Sequence, residues 1–305
     1  MRSNFPIPAD QTNVAISGPS STGIAHWRRL GKFYTKRTVA RRCKAALYDI
    51  IEQSIPTLEP SVGAGSFIER GDRIVAFDLA PEHPGAMQID SLSPHLFDVM
   101  RGAGLNEFLA IGNPPFGKRN SLAIAFVNQF LMIGGVVAFV LPVSFRKWSV
   151  QQHIAEGARL ILDIDVPEDG FVLPDGRDYK IRTCFQCWSI READKRRPDL
   201  RIHTKPPTCH PDFDMRVHTA TSNALGDSSF RWDFAVIAHG FGDYGLQLTP
   251  ADRLSPRKQW MLFSANSPAA LKRLKAVDFC RLSLGKQMIP GFGKADVVRA
   301  YNQLP

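Results

Sequence analysis

The stretch "EFLAIGNPPFG", residues 107–117, decides the fold class that this sequence predicts. Its run "FLAIG" is continuously apolar, as in a parallel strand that is buried on both faces. Each of the two prolines that follow fixes φ at about −65° and removes a backbone N–H, and the residue ahead of a proline is pushed toward extended geometry. We therefore expect Asn113, Pro114 and Pro115 to form a rigid turn at the carboxyl end of a buried strand, where doubly wound sheets bind ligands.

Other short apolar runs alternate with loops and helical stretches on both sides of this turn. They are "TLEPSVGAGSF", "DRIVAFDLA", "SLAIAFVNQFLMI", "GGVVAFVLPV", "RLILDIDVP" and "RTCFQCWSI". Strands interleaved with helices predict an α/β fold with a doubly wound, mostly parallel sheet. Ahead of these runs, the stretch from Thr35 predicts an amphipathic helix. Its buried face would carry Val39, Cys43, Ala46, Leu47, Ile50 and Ile51, and its other face would largely carry Arg41, Arg42 and Lys44.

Length and local composition predict how the chain is divided. A chain of 305 residues suffices for one large α/β domain of about 200 residues and a smaller region. Residues 1–30 are rich in Ser, Pro, Gly and Thr, so we expect a flexible arm there. The basic, proline-containing stretch "READKRRPDLR" predicts a boundary between residues 31–194 and a C-terminal region, residues 195–305.

Charge and cysteine content narrow the class of protein. The net charge of +9 favours a polyanionic partner, although this signal is weak when it is taken alone. No apolar run approaches the roughly 20 residues that cross a bilayer, so we expect no membrane span. Five scattered cysteines are typical of a reducing compartment, and the first residues lack the order of a signal peptide, so we expect a cytoplasmic protein.

A glycine turn follows the first predicted strand, in "LEPSVGAGSF". Gly63 and Gly65 let the backbone approach a ligand without obstruction by a Cβ atom. Asp78 ends the next strand, where a carboxylate can accept two hydrogen bonds from ribose hydroxyls. Asp90 follows a third apolar stretch and is either an acceptor for an adenine amino group or a surface acid. Together these residues predict a site for a nucleoside.

Glu59 distinguishes between two kinds of nucleoside cofactor. The turn lacks the third glycine of the pyrophosphate fingerprint, and the carboxylate of Glu59 would repel a pyrophosphate. A ligand with a positive charge beside the nucleoside would instead be attracted. The sequence therefore favours S-adenosylmethionine, which carries a sulfonium and an ammonium, over a dinucleotide.

The turn after the buried strand suits a planar amino group. The side-chain oxygen of Asn113 and the carbonyl of Pro114 can converge as two acceptors for its two protons, which makes the nitrogen lone pair available for attack on a methyl sulfonium. Phe116 would lie over the face of a base, a stacking contact that contributes about 1–3 kcal/mol. The alternative is that "NPPFG" is only a tight turn.

A metal centre is not predicted. Cys184 and Cys187 are three residues apart on a predicted strand, so their side chains face opposite sides and cannot share one ion. His203, Cys209 and His210 follow them, but the histidines form no helical metal pair. The glycine-rich stretch "GFGDYG", residues 240–245, follows a late strand and is interpreted as a loop.

Three motifs in this order resemble those of class I S-adenosylmethionine-dependent methyltransferases, and more narrowly the N6-adenine DNA methyltransferases of restriction-modification systems. "FYTKRTVA" is similar to their "F-x-T-P-x-x-V-A" segment, with Lys36 in place of the proline; "EPSVGAGSF" is similar to "EPSxGxGxF", and "NPPFG" to "NPPF". The resemblance covers about residues 33–190. It implies a Rossmann-like, seven-stranded sheet whose last two strands form an antiparallel hairpin, with a small C-terminal appendage. Residues 31–194 would be the catalytic domain and residues 195–305 a region that recognises the nucleic-acid target.

The resemblance also implies roles for individual residues. The cofactor site would comprise Tyr34, Thr35, Glu59, Pro60, Ser61, Gly63, Gly65, Asp78, Asp90 and Asn113. The catalytic residues would be Asn113, Pro114, Pro115 and Phe116, with Phe171 or Tyr179 as a second aromatic that holds a flipped base.

The implied reaction transfers a methyl group from S-adenosylmethionine to the N6 amino group of adenine in DNA, after the base is flipped out of its stack. Candidate contacts to the nucleic acid are Lys118, Arg119, Arg146, Lys147, Phe171, Lys195, Arg196 and Arg197, although each basic cluster alone is more often a solvated surface. Three alternatives stay open: an RNA adenine methyltransferase, a protein glutamine methyltransferase and a non-catalytic nucleic-acid-binding subunit.

Overall fold

The chain folds into two compact units in a computed structural model that describes residues 33–102, 106–219, 230–285 and 289–305. The first unit comprises the described residues up to Phe145 together with Ser149–Ile202. The second comprises Arg146–Trp148 and the described part of His203–Pro305. The arm predicted over residues 1–30 lies outside the described residues.

The strands and helices follow the apolar runs of the sequence. In the first unit the strands are β1 (Tyr34–Thr35), β2 (Thr57–Glu59), β3 (Ile74–Asp78), β4 (Met87–Gln88), β5 (Phe108–Gly112), β6 (Gly135–Pro142), β7 (Arg159–Val166), β8 (Phe171–Val172), β9 (Asp178–Tyr179) and β10 (Thr183–Ser189). The helices up to Ile202 are α1 (Arg37–Tyr48), α2 (Leu96–Gly102), α3 (Ser121–Gly134) and α4 (Trp148–Gln151), with 3₁₀ turns at Lys118–Asn120, Val143–Arg146 and Glu192–Arg196.

Seven of these strands form one sheet in the order β4-β3-β2-β5-β6-β10-β7. The neighbours from β4 to β6 pair in parallel, whereas β10 lies between β6 and β7 and runs antiparallel to both. A mostly parallel sheet whose last strand is inserted antiparallel beside the sixth is the arrangement of the class I methyltransferase fold. The predicted fold class, including the antiparallel hairpin of β7 and β10, is therefore confirmed.

The centre of the large sheet is buried on both faces. Every residue of β5 is buried, as is every residue of β10. Helix α3 packs closely on this sheet, since a Cβ atom at Gly134 would lie 2.7 Å from the ring of Phe108. The helix ends there because Gly135 adopts φ +82°, a left-handed conformation that glycine favours, and the chain enters β6 at once.

A separate three-stranded sheet, in the order β1-β8-β9, brings the first described residues to the edge of the same unit. Tyr34 pairs with Val172, and Phe171 pairs with Tyr179. The N–H of Lys36 donates to the carbonyl oxygen of Gly170 at 2.8 Å. The methyltransferase motif has a proline where this chain has Lys36. A proline has no backbone N–H, so it could not make this hydrogen bond.

One face of α1 differs from the prediction. Lys44 was expected largely on the exposed face, yet its side chain is buried. Its ammonium donates to the carbonyl oxygen of Phe67 at 3.2 Å and pairs with the carboxylate of Asp72 at 2.5 Å. The helical pattern could not show this because both acceptors lie on a segment more than twenty residues away. The prediction for Lys44 was wrong for that reason.

The second unit has a core of its own. Its strands are β11 (Phe213–His218), β12 (Phe234–His239) and β13 (Gln259–Ala265), and its helices are α5 (Pro268–Lys275), α6 (Phe279–Ser283) and α7 (Lys294–Asn302). The strands form an antiparallel sheet in the order β11-β13-β12. The buried side chains of Phe234, Phe263, Leu274 and Val297 belong to this core.

Residues 195–202, which the sequence assigned to the C-terminal region, pack in the first unit. The N–H of Leu200 donates to the carbonyl of Leu160 at 2.8 Å, and Asp199 accepts from the N–H of Leu160 at 3.1 Å. Arg201 donates to four carbonyls, those of Gln151, Ile154, Ala155 and Ala158, at 2.9–3.0 Å. One guanidinium thus satisfies the carbonyls that end α4 and form the turn after it.

Two structural absences concern the described residues only. No helix among them is long enough and apolar enough to cross a bilayer. No group of three or more His, Cys, Asp or Glu side chains among them is arranged to hold a metal ion. Cys184 and Cys187 lie on β10, fully buried.

Arg201→Ala is expected to lower the free energy of unfolding by about 2–4 kcal/mol, because it leaves several carbonyls without a charged donor. Arg196→Ala is the matched control: Arg196 is exposed, and we expect a change of no more than about 0.5 kcal/mol. Urea unfolding followed by circular dichroism measures both. Equal midpoints for the two variants would contradict the anchoring role of Arg201.

Candidate active site

A cavity of about 540 Å³ opens where β2, β3 and β5 end. Volumes of roughly 300–1,000 Å³ are typical of small-molecule sites. Because β2 lies between β3 and β5, the strand order reverses here, and doubly wound sheets bind ligands at this reversal. The lining residues are Phe33, Tyr34, Thr35, Glu59, Pro60, Ser61, Val62, Gly63, Ser66, Phe67, Asp78, Leu79, Ala80, Asp90, Ser91, Leu92, Asn113, Pro114, Pro115, Leu122 and Phe126.

Most residues that the sequence assigned to the cofactor and to catalysis lie on this wall. Of the cofactor set, the exception is Gly65; of the catalytic set, it is Phe116. Gly65 adopts φ +77° inside the glycine turn, and a Cβ atom there would lie 2.4 Å from the ring of His83. The structure thus gathers residues that are up to 81 positions apart in the sequence, from Tyr34 to Pro115, and their individual roles stay predictions.

Four buried oxygens on the wall have no hydrogen-bond partner among the described residues. They are Thr35 Oγ1, Glu59 Oε2, Ser61 Oγ and Asn113 Oδ1. Each buried polar group without a partner costs about 1–3 kcal/mol, so such a cluster needs an explanation. The amide oxygen and an ionised carboxylate can only accept, whereas the two hydroxyls can accept or donate. The wall therefore suits a ligand that brings several N–H and O–H donors.

Asp78 holds the glycine turn in place. Its Oδ2 accepts from the N–H of Gly63 at 2.8 Å, and its Oδ1 accepts from the N–H of Ala80 at 2.9 Å. Gly63 adopts φ +49°, a left-handed conformation. Each carboxylate oxygen has a second lone pair, so Asp78 can position the loop and still accept from a ligand hydroxyl.

The segment after β4 is fastened to the motif on β2. Asp90 is exposed, and its Oδ1 accepts from the N–H of Leu92 at 2.9 Å. Ser91 is buried, and its hydroxyl donates to the carbonyl of Pro60 at 2.5 Å. Asp90 thus lies on the cavity wall, on a loop that a neighbouring serine ties to the glycine motif.

Glu59 is the most constrained acid of the site. It is 2% exposed. Burial raises the pKa of its carboxyl well above 4.5; the negative charge of Asp78 raises it further, while the ammonium of Lys44 opposes the shift. The side chain lies beside the end of β5, because a Cβ atom at Gly112 would be 3.2 Å from its Cγ. A cationic ligand would favour the ionised form of this carboxyl.

The turn after β5 is fixed at both of its ends. Gly112 precedes Asn113 with φ +149°, and Gly117 follows Phe116 with φ +69°. A Cβ atom at Gly117 would lie 2.8 Å from the backbone nitrogen of Leu122, so α3 begins close against the turn. The N–H of Ala123 donates to the carbonyl of Phe116 at 3.2 Å. Asn113 and the two prolines are therefore held on a rigid support.

An aromatic cluster connects this turn to the small sheet. The ring of Phe33 lies 5.3 Å from that of Phe116 and 5.4 Å from those of Phe171 and Tyr179, between ring centroids. Phe171 is fully buried, whereas Tyr179 is half-buried. Of the two aromatics predicted to hold a base, Tyr179 is thus the one with an accessible surface.

Tyr34 and Glu82 form an edge of the site that the sequence did not reveal. The hydroxyl of Tyr34 donates to Oε2 of Glu82 at 2.5 Å, and its ring lies over Gly63, where a Cβ atom would be 3.0 Å away. Burial and the bond to Glu82 raise the pKa of Tyr34, so its hydroxyl stays a donor. Glu82 carries no motif, and only the folded loop brings it to Tyr34.

Other wall residues also escaped the sequence prediction, for two reasons. Phe33, Val62, Ser66, Phe67, Leu79, Ala80, Ser91 and Leu92 adjoin predicted residues, so adjacency to the motifs was a usable signal. Leu122 and Phe126 are four positions apart on α3, and only the packing of that helix turns them toward the cavity.

The basic residues predicted to contact nucleic acid fall into four structural situations. Lys118 and Arg119 are exposed on the turn before α3. Lys195 pairs with Glu192 at 2.6 Å, and Arg196 is exposed beside it. Arg197 is committed to the fold, because it pairs with the buried Asp194 and donates to the carbonyl of Ile50. Arg146 and Lys147 belong to the second unit, where burial lowers the pKa of Lys147.

Comparison with known proteins gives similarity in structure only. No protein-family model and no curated protein sequence matches the chain. A modification subunit assigned to a type I restriction enzyme from Vibrio vulnificus YJ016 is 14% identical with a TM-score of 0.39, over 90% of this chain and 62% of that one. The type IIL restriction-modification enzyme MmeI is 10% identical with a TM-score of 0.35, over 82% and 49%. The M protein of the type I restriction enzyme EcoKI is 10% identical with a TM-score of 0.36, over 90% and 70%. The chain thus spans less than two thirds of the length of the first two.

Glu59→Gln is expected to raise the free energy of unfolding at pH 8 and to change it much less at pH 4. The pKa of Glu59 is higher in the folded protein than in the unfolded chain. The contribution of the protonated Glu59 carboxyl to the free energy of unfolding is therefore complete below the unfolded-state pKa of 4.5. It is lost as the pH rises from there through the folded-state pKa. The amide removes this loss because it never ionises.

Urea unfolding at the two pH values measures the effect, with Glu52→Gln as the control. Glu52 is exposed, so its replacement should leave the pH dependence as it is in the wild type. If Glu59→Gln changed stability equally at pH 4 and pH 8, the buried carboxyl would not be the cause.

Proposed function

We propose that this chain transfers a methyl group from S-adenosylmethionine to the N6 amino group of adenine in DNA. The observation that carries the proposal is the acceptor of Asn113: its Oδ1 is buried and without a partner among the described residues. It lies on a rigid turn that shares one cavity with the buried acid Glu59. An amino group and a cationic methyl donor would meet complementary groups on the same wall.

The wall fits S-adenosylmethionine. Glu59 would attract the positive end of the molecule, and the glycine turn at Gly63 would let the backbone approach it. Asp78 keeps lone pairs for ribose hydroxyls, and Thr35 and Ser61 offer buried hydroxyls. When bound, this cofactor supplies a methyl group on a positively charged sulfur. The sulfur is an excellent leaving group because it departs as a neutral thioether.

Asn113 and the carbonyl of Pro114 would hold both protons of the target amino group. Holding them orients the nitrogen lone pair out of the ring plane and makes it a better nucleophile. No side chain needs to remove a proton from the amino group before the transfer, because the methylated nitrogen can release its extra proton to water afterwards. The rigidity of the two prolines keeps the acceptors oriented before the substrate arrives.

The aromatic cluster would receive the flipped base. Phe33 lies on the cavity wall with Asn113, and the buried ring of Phe116 packs edge-on against it. The half-buried Tyr179 and the fully buried Phe171 both pack against Phe33, so only Tyr179 would offer a ring face to a base. An aromatic surface would bind a flipped base better than a glutamine side chain, which favours a nucleic acid over a protein substrate. The net charge of +9 also favours a polyanionic substrate.

The test of substrate class uses the purified chain, labelled methyl donor and separate pools of DNA, RNA and protein, followed by nucleoside analysis of the labelled product. Label in N6-methyladenine from DNA is the expected result. Label in RNA adenine would favour the RNA alternative, and label in protein alone would contradict the nucleic-acid assignment.

Asn113→Ala is expected to lower the turnover number by roughly 100–1,000-fold, because an acceptor used in the transition state is lost. Affinity for the methyl donor should change by less than about threefold, because Glu59 and the glycine turn remain. Asn106→Ala is the matched control, since Asn106 is exposed and precedes β5 at its opposite end. Unchanged turnover of the Asn113 variant would refute the role of this amide.

Binding of S-adenosylmethionine is expected to release a proton and to strengthen as the pH rises from 4.5 toward the raised pKa of Glu59 in the free protein. Burial keeps the Glu59 carboxyl protonated in the free protein to a pH well above 4.5, and the cationic ligand favours its ionised form. Calorimetry in buffers of different ionisation enthalpy measures the protons released. Glu59→Gln should abolish the release, and proton uptake by the wild type would contradict the assignment.

A further inference from the structure

The second unit presents an exposed aromatic side chain on the loop after β12. Phe241 is 83% exposed, more than any other large apolar side chain in the described residues. It belongs to "GFGDYG", residues 240–245, which has no role in the site described above. A single exposed apolar residue is ordinary, so its meaning depends on how the loop is built and on what surrounds it.

The loop is held in one conformation. The hydroxyl of the buried Tyr244 lies 2.7 Å from the carbonyl oxygens of both Gly240 and Pro290, so its one proton can be donated to either of them. The N–H of Gly240 donates to the same carbonyl of Pro290 at 2.9 Å. Asp243 accepts from the N–H of Gly245 at 2.8 Å. Phe241 is therefore displayed on a braced loop whose backbone is fastened on both sides of it.

Two glycines flank Phe241: one permits the backbone conformation of the loop, and the other leaves room for a lysine side chain. Gly240 adopts φ +97°, a left-handed conformation. A Cβ atom at Gly242 would lie 2.7 Å from Cδ1 of Ile237 and 3.2 Å from the ammonium nitrogen of Lys258. The ammonium of Lys258 thus lies against the residue that follows Phe241. Lys258 is exposed, and no carboxylate in the described ranges forms an ion pair with it.

The charge of this part of the chain indicates the kind of partner. Residues 203–305 contain thirteen lysines and arginines, eight aspartates and no glutamate. An exposed aromatic side chain with a cation close to the next residue of its loop complements a nucleic acid, which offers a phosphate next to the π-face of a base. A purely apolar protein partner would leave the ammonium of Lys258 unpaired.

We propose that Phe241 stacks on an unpaired or unstacked base of the DNA while Lys258 contacts an adjacent phosphate. The proposal rests on the proposed function for its choice of DNA as the partner. It assigns to the second unit a contact that reads no particular base, because every base has a π-face. Its contribution would be greatest for strands in which stacking is already interrupted.

The test measures binding of fluorescently labelled DNA by anisotropy, with a perfect duplex, a duplex that carries one unpaired base, single-stranded DNA and RNA of the same sequence. Phe241→Ala is expected to weaken binding of the DNAs with an unpaired base by about fivefold to a hundredfold. Phe241→Trp should bind within about threefold of wild type, because it restores an aromatic surface. Lys258→Ala should reduce the slope of log affinity against log salt concentration by about 1.

Met132→Ala is the matched control, since Met132 is an exposed apolar residue, 67% accessible, on α3. Its affinity for DNA should equal that of the wild type. The proposal is overturned if Phe241→Ala binds within about twofold of wild type, if Phe241→Trp is as weak as Phe241→Ala, or if the loss appears with RNA alone.

Methyl transfer is measured separately on the same proteins, so that the two proposals can fail independently. Methylation by the wild type together with unchanged binding by Phe241→Ala refutes the loop contact alone. Loss of binding in Phe241→Ala, with no methylation by the wild type, refutes the proposed activity and supports the contact.

Discussion

The parallel pairing of β2 with β5 is the constraint on which the site depends. Thr57 pairs with Leu109 and Leu58 with Ala110, although about fifty residues separate the two strands in the sequence. Both strands therefore end at the same level, which brings Glu59 against Gly112 and next to Asn113. Strand β3 lies on the other side of β2 from β5. The chain segments that follow β2 and β5 therefore diverge, and the cavity lies between them.

Buried polar groups on the cavity wall lower the free energy of unfolding of the protein. Glu59 and Asn113 each keep one buried oxygen without a hydrogen-bond partner in the described part of the chain, and burial disfavours the charged form of Glu59. Lys44 offsets part of that cost, since its buried ammonium opposes the shift and ties α1 to Phe67 and Asp72. Buried polar groups without partners, held in place by a rigid backbone, are expected at sites where a ligand supplies the missing hydrogen bonds.

The two units carry different kinds of surface. The first concentrates acceptors and an acid in a cavity at one end of the large sheet, which suits a small cationic ligand and an amino group. The second has its own antiparallel sheet and core, and a basic composition without glutamate over residues 203–305. Phe241 lies on a braced loop of that unit, so an aromatic contact and a cation are presented together.

Patterns in the sequence were enough to predict the strands of the large sheet and about half of the residues on the cavity wall. Apolar runs buried on both faces and glycines or prolines at their ends are local signals, and each predicted strand from β2 to β10 in the large sheet is present. Glu59, Asp78 and Asn113 were recognisable because each ends a strand or directly follows one. Parallel strands place such residues at one edge of the sheet.

Which other side chains contact these residues depends on how distant segments of the chain pack together. Lys44 is buried because its acceptors lie on another segment, and Glu82 reaches Tyr34 across the cavity edge. Phe171 is enclosed while Tyr179 is accessible, although both lie on the same small sheet. Neither helical period nor strand alternation contains this information, because packing between elements that are distant in the sequence sets the burial and partners of each side chain.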